Sequence, residues 1–171
     1  MIISDIYSKL QEFSVAAIGI VACKVIIANQ STPVTKKPYV TITLSGFRNI
    51  AKPILKVTDS SGIVTIVTPV VTTASFLSFG DGLHSAETIL SNLQSAFNSE
   101  LQNNIFKGEL ALHRILKPIS AIPVALNAQM ESRAILELEL AFNLERIDEV
   151  GLIESLYLTD TRLNKEYIIN K

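Results

Sequence analysis

The sequence has 171 residues, of which 48% are hydrophobic and only 18% charged, and its net charge at neutral pH is −1. That length suits one domain of mixed type, and the lack of a basic excess argues against sequence-specific binding of nucleic acid. Its single cysteine, Cys23, excludes an intramolecular disulfide and a cysteine-rich metal site.

Ser4 is placed to cap a first helix. Ile6, Leu10 and Phe13 follow at helical spacing with Asp5 in the first turn, which predicts about three turns. Asp5, Lys9 and Glu12 break up any secretory leader within residues 1–20. The apolar run 15–25 is interrupted by Lys24 and is too short to span a membrane, so cytoplasmic synthesis is the default expectation. Residues 23–28 read as a strand, with Cys23 a small buried hydrophobe.

Residues 29–37 form a polar loop that closes at Pro38. Residues 39–44 alternate, Tyr39, Thr41 and Thr43 on one face and Val40, Ile42 and Leu44 on the other, as a β-branched strand does. After a loop at 45–53, the runs 54–58 and 63–68 flank a polar turn and predict a β-hairpin. Pro69 ends its second strand or marks a sheet edge, and 71–79 read as a further strand.

Gly80, Asp81 and Gly82 break that strand, with Asp81 able to help cap the helix that follows. Over residues 85–97, Ala86, Ile89, Leu90, Leu93, Ala96 and Phe97 fall on one helical face. A shorter helix follows at 99–106, stopped by Gly108. Residues 110–116 read as a strand and 118–123, bounded by two prolines, as a turn. The clearest pattern spans 133–144: Leu136, Leu138, Leu140, Phe142 and Leu144 face one way, Glu137, Glu139, Ala141 and Asn143 the other. Period two over this length predicts a long half-buried antiparallel strand. A charged linker at 145–151, a last strand at 152–158 and a polar tail complete the chain. The expectation is one α+β domain over residues 1–158, a largely antiparallel sheet packed with an N-terminal helix and a central helical pair, with 159–171 a tail or arm.

Catalytic constellations are weak. The Gly80 turn lacks the lysine and hydroxyl residue of a phosphate loop. His84 and His113 have no partner at metal-ligand spacing. Glu137 and Glu139 share a strand face, where carboxylates are usually solvated or paired with a basic neighbour. No catalytic residue, cofactor or metal is expected.

Three stretches, taken in order, resemble a family of small neck or tail-terminator proteins of tailed phages and prophages. The first runs Val25, Ile26, Ile27, Ala28, Asn29, Gln30, then Pro33, then Pro38, Tyr39, Val40 and Thr41. The second is Phe79, Gly80 and Asp81 leading into the helix with Ala86, Leu90 and Leu93. The third is Glu131, Ser132, Arg133 and Ala134 opening the long strand, followed by Val150, Gly151, Leu152, Ile153 and Glu154. The resemblance spans about 20–158; family members often carry an arginine beside the loop proline, whereas Thr32 and Val34 flank Pro33 here.

What the resemblance implies is a structural virion protein. It would form a hexameric ring at the head-proximal end of the tail, cap the tail tube, meet the head connector and let DNA pass through the lumen. Assembly in the bacterial cytoplasm and no membrane are part of that expectation. Ring contacts are expected at Asn29, Gln30, Lys36, Lys37, Leu152, Ile153, Leu156 and Tyr157. The acidic strand face is either an ordinary solvated face or a lining of the lumen that would keep DNA from sticking. The competing expectations are a connector adaptor with portal symmetry, a small cytoplasmic enzyme with its site at Gly80 to His84, and a monomeric adaptor that binds a peptide by strand addition.

Overall fold

A computed structural model describes residues 3–28, 36–57, 63–122, 124–126, 129–149, 155–160 and 165–170. The chain divides into two units, Met1–Lys52 with Thr68–Leu144, and Pro53–Val67 with Glu145–Lys171. The architecture is α+β, with three helices and a mostly antiparallel six-stranded sheet.

Helix α1 (Ile3–Ile18) runs longer than the spacing of its core residues suggests, through Val15 to Ile18. Gly19 stops it with a positive φ of 65°, a conformation that costs glycine little. Strand β1 (Lys24–Ile27) pairs in parallel with β2 (Tyr39–Asn49). Side chains on the helix tie the two layers: the Tyr7 hydroxyl accepts from the Leu44 N–H at 3.0 Å, and Gln11 Nε2 donates to the Val25 carbonyl at 2.9 Å.

Strand β3 (Ile54–Val57) and β4 (Ile63–Phe79) form the expected hairpin, Ile54 opposite Val67 through Val57 opposite Val64. The two runs expected on either side of Pro69 are one strand of 17 residues. Pro69 does not end it, because β4 changes partner there. Residues up to Val67 pair with β3, and from Val70 to Phe79 the partner is β2. In an antiparallel strand a residue's N–H and C=O point to the same side. The Pro69 carbonyl accepts from Ile50 N–H at 3.1 Å, so the side on which Pro69 lacks an N–H faces Ile50, just past the last paired residues of β2, and that pairing has one hydrogen bond in place of two.

Helix α2 (Ala86–Ala96) starts at Ser85, whose side chain accepts from the Thr88 N–H as an N-cap should. Helix α3 (Glu100–Phe106) closes on Lys107, left-handed at φ 50°, followed by Gly108. Strand β5 (Leu110–Ala121) continues through Pro118, which was expected in a turn. It is the last strand in the order β1-β2-β4-β8-β5, and Pro118 falls in a register irregularity between Lys117 and Ser120, so no hydrogen bond of a regular ladder is broken. Strands β6 (Val124–Leu126) and β7 (Gln129–Glu131) make a small hairpin. Strand β8 (Arg133–Glu149) extends five residues into the expected charged linker. In the second unit, β9 (Ser155–Asp160) and β10 (Lys165–Asn170) pair as an antiparallel hairpin, so residues expected as a polar tail supply a strand.

The core lies between the helices and one face of the main sheet. Ile6, Leu10 and Phe13 from α1 and Ile89, Leu90 and Leu93 from α2 meet Val40, Ile42, Phe76 and the even-numbered positions Ala134 to Phe142 of β8. Phe13 sits 4.5 Å from Phe97 and 4.9 Å from Phe106, centroid to centroid.

Cys23 is buried at the edge of this core, as expected for a small hydrophobe. Burial, with a smaller contribution from the charge of Asp81, pushes its thiol from 9.0 up to about 11. Only the thiolate attacks disulfides. At pH 8 the folded protein should therefore react with a disulfide-exchange reagent at least about 100-fold more slowly than the urea-unfolded chain, and comparable rates would contradict this environment.

Candidate functional site

Strand alternation puts the odd-numbered residues of β4 and β8 on the face opposite the helices. Two clusters of side chains stand on that helix-free face, one towards each end of the strands.

The first joins segments far apart in sequence. Tyr39 and Phe79, opposite each other on β2 and β4, stack with centroids 4.4 Å apart. The Arg133 guanidinium lies over the Phe79 ring at 5.0 Å, a cation–π contact. Glu131 pairs with both Arg133 and Lys37, and those two partners hold its carboxyl below the usual range, the Lys37 hydrogen bond most of all. Ser132 fastens the start of α2: its hydroxyl accepts from Ala86 N–H and its carbonyl from Gly80 N–H, both at 2.9 Å.

Gly80 is fixed by this closeness. A Cβ there would lie 2.5 Å from the His84 carbonyl oxygen, 2.7 Å from the Ala86 nitrogen and 2.8 Å from Ser132 Oγ. Asp81 does not cap the helix as expected. Its Oδ1 accepts from the Leu83 and His84 N–H groups at 2.9 and 2.7 Å, closing the turn before the helix. The same oxygen lies 3.3 Å from His84 Nδ1.

The second cluster centres on Glu139. Its side chain is only 4% exposed, with Arg48 Nη2 at 2.7 Å from Oε1 and Arg114 Nε at 2.8 Å from Oε2. His113 Nε2 stands 3.8 Å from Oε2. The Arg48 bond, then that of Arg114, holds the Glu139 carboxyl below its usual range against the opposing effect of burial. Glu137 accepts from the Ser75 hydroxyl and faces Lys117 in register. Glu139 is thus paired with basic neighbours, one of the two readings expected of carboxylates on this strand face. Around these clusters the cations Lys37, Arg48, Arg114, Lys117 and Arg133 outnumber the carboxylates Glu131, Glu137 and Glu139.

Compared with known protein families, residues 4–165 match the phage neck terminator proteins. The chain belongs to that family. No curated protein matches it. The matched span runs from α1 into β10, so it extends beyond the resemblance at both ends and includes both clusters. Membership makes the chain a structural component of the phage neck and so of the virion.

The three stretches behind the resemblance meet in part. Tyr39, Phe79, Gly80, Ser132 and Arg133 converge on the first cluster. Of the expected ring contacts, Asn29, Gln30, Leu152 and Ile153 lie outside the described residues. Lys36 is exposed, and Lys37 is engaged with Glu131. Leu156 and Tyr157 fall in β9, opposite Ile169 and Ile168. The two lysines belong to the first unit and the two β9 residues to the second. Arg48, Arg114 and Glu139 were not anticipated as a group. Among the described residues no cluster of three or more His, Cys, Asp and Glu side chains is arranged to hold a metal ion. No helix among them is long and apolar enough to cross a membrane.

The depressed carboxyls set a pH dependence. Glu131 and Glu139 bind protons less readily folded than unfolded, so their stabilisation is complete above the reference value of 4.5 and lost as pH falls through the lower folded values. The thermal midpoint should drop as the pH is lowered from about 4.5, and drop less in a Glu131→Gln/Glu139→Gln variant. Equal acid sensitivity in the two proteins would show that other groups control it.

Proposed function

We propose that this protein is a ring-forming tail terminator. Copies close into a hexameric ring at the head-proximal end of the tail, cap the tail tube and join it to the head connector. DNA passes through the lumen without sequence-specific binding, no membrane takes part, and assembly occurs in the cytoplasm of the bacterial host. The role is structural, and no residue is assigned a catalytic part. The observation that carries this reading is the family match over residues 4–165.

The sheet edges support a closed assembly over open-ended strand addition. An exposed regular edge is a template for further pairing. Here edge strand β1 has four residues, and β5 at the other edge has three register shifts along with Arg114, Lys117 and Pro118. These two edges are thus poor templates. Contacts then fall to other surfaces, among them the loop with Asn29, Gln30, Lys36 and Lys37 and the segment with Leu152, Ile153, Leu156 and Tyr157. Closed rings of this kind use two different patches on each copy.

Negative-stain electron microscopy with light-scattering mass tests the reading. Sixfold rings, free or on the tips of tail tubes, are the expected result. Twelvefold rings would favour a connector adaptor, and a monomer that leaves added tail tubes uncapped would overturn the proposal.

A further inference from the structure

The helix-free face of the first unit has a definite chemical character. Between its two clusters lie Thr41, Thr43, Thr73 and Ser75, with Leu77 and Ile135 on the same side by strand alternation. The aromatic stack of Tyr39 and Phe79 stands at one end. The interior is mostly hydroxyl-bearing with two apolar residues in it, and the arginines and aromatic pair at its borders are residue types enriched at protein interfaces. A surface that tracks phosphates gains nothing from carboxylates set among its cations. Here each cation cluster encloses a glutamate, Glu131 in one and Glu139 in the other.

The arginines are held but not used up. Arg48 and Arg114 are 53% and 57% exposed although both bind Glu139. A guanidinium has five N–H donors, more than one shared carboxylate engages. Glu139 thus fixes two cationic forks in place while leaving them open to a further acidic group.

The sign of the occupant follows from the chain itself. The second unit has seven acidic residues against five basic ones, the reverse of the balance around the two clusters. A heterologous ring contact requires two unlike patches of one chain that fit each other. We propose that the helix-free face around Arg48, Glu139 and Arg114 receives the acidic second unit of the next copy. This rests on the ring-forming reading above and names its interface.

The test couples carboxylates to amines with a zero-length carbodiimide in a mixture of heavy- and light-isotope protein, free and bound to tail tubes. The expected result is a link between copies that joins exposed Lys117 to a carboxylate within Glu145–Lys171. In parallel, Arg48→Gln/Arg114→Gln/Glu139→Gln removes the three charges together, so no single one is left unpaired. Self-association of this variant should weaken at least tenfold at an unchanged circular dichroism spectrum. If wild-type copies assemble but their links join other surfaces, the proposed interface falls and the ring reading stands, with the face left for DNA or an acidic neck protein. Tenfold-stronger or unchanged association of the folded variant has the same meaning. If wild-type protein neither assembles nor caps tubes, both readings fall.

Discussion

Replacing Gly80 by alanine should destabilise the protein by about 3 kcal/mol or more, lowering the thermal midpoint by roughly 6–12 °C for a chain of this size. The new methyl would stand 2.5 Å from the His84 carbonyl oxygen and 2.7 Å from the Ala86 nitrogen. Both are backbone atoms of the turn that starts α2, so neither can rotate away. Moving Ser132 Oγ, the third neighbour, would break its bond to the Ala86 N–H. The penalty therefore reaches the turn, the helix start and the anchor on Ser132 together. Gly82 is the control: nothing lies within 4 Å of a Cβ there, and alanine should change the midpoint little. Calorimetry of the two variants decides the matter, and equal midpoints would show that the turn yields more readily than its geometry implies.

The second large effect is expected in the core. Phe13→Ala should cost about 3–5 kcal/mol. Phe13 is fully buried and contacts the rings of both Phe97 and Phe106, so it joins α1 to the residues that end α2 and α3. Truncation leaves a hole between three helices that pack against the sheet, which limits collapse into the space. Phe13→Leu fills most of that volume and should recover over half of the loss. Denaturant titration of the three proteins measures this, and a Phe13→Ala cost under about 1 kcal/mol would mean that the helices close over the gap.

Patterns confined to one segment were legible in the sequence. The apolar face of α2, the alternation of β8 and the hairpin of β3 with β4 all appear where periodicity placed them. Prolines misled, because their effect depends on neighbours that the sequence does not reveal. The sequence reads Pro69 as a strand end or a sheet edge and Pro118 as part of a turn, yet one sits where β4 changes partner and the other in an irregularity of an edge strand. Alternation also fixed the face of Glu139 correctly but not its burial. That depends on Arg48 and Arg114, 91 and 25 positions away, and on the strand register that brings them close. The first cluster shows the same limit. Its motifs could be noticed singly, but the contact of Phe79 with Arg133 and of Gly80 with Ser132 exists only once β2, β4 and β8 are laid side by side.

Pro69 has a second consequence, one that concerns the chain before it folds. Residues 63–79 form a long run rich in β-branched and aromatic side chains, without a single charge. Segments of that composition stack into cross-β fibrils when they are exposed, and proline is the residue they exclude. Pro69 divides the run into two shorter pieces where β4 passes from β3 to β2. The newly made polypeptide thus carries a gatekeeper against cross-β stacking within a long uncharged run, placed where the native strand changes partner.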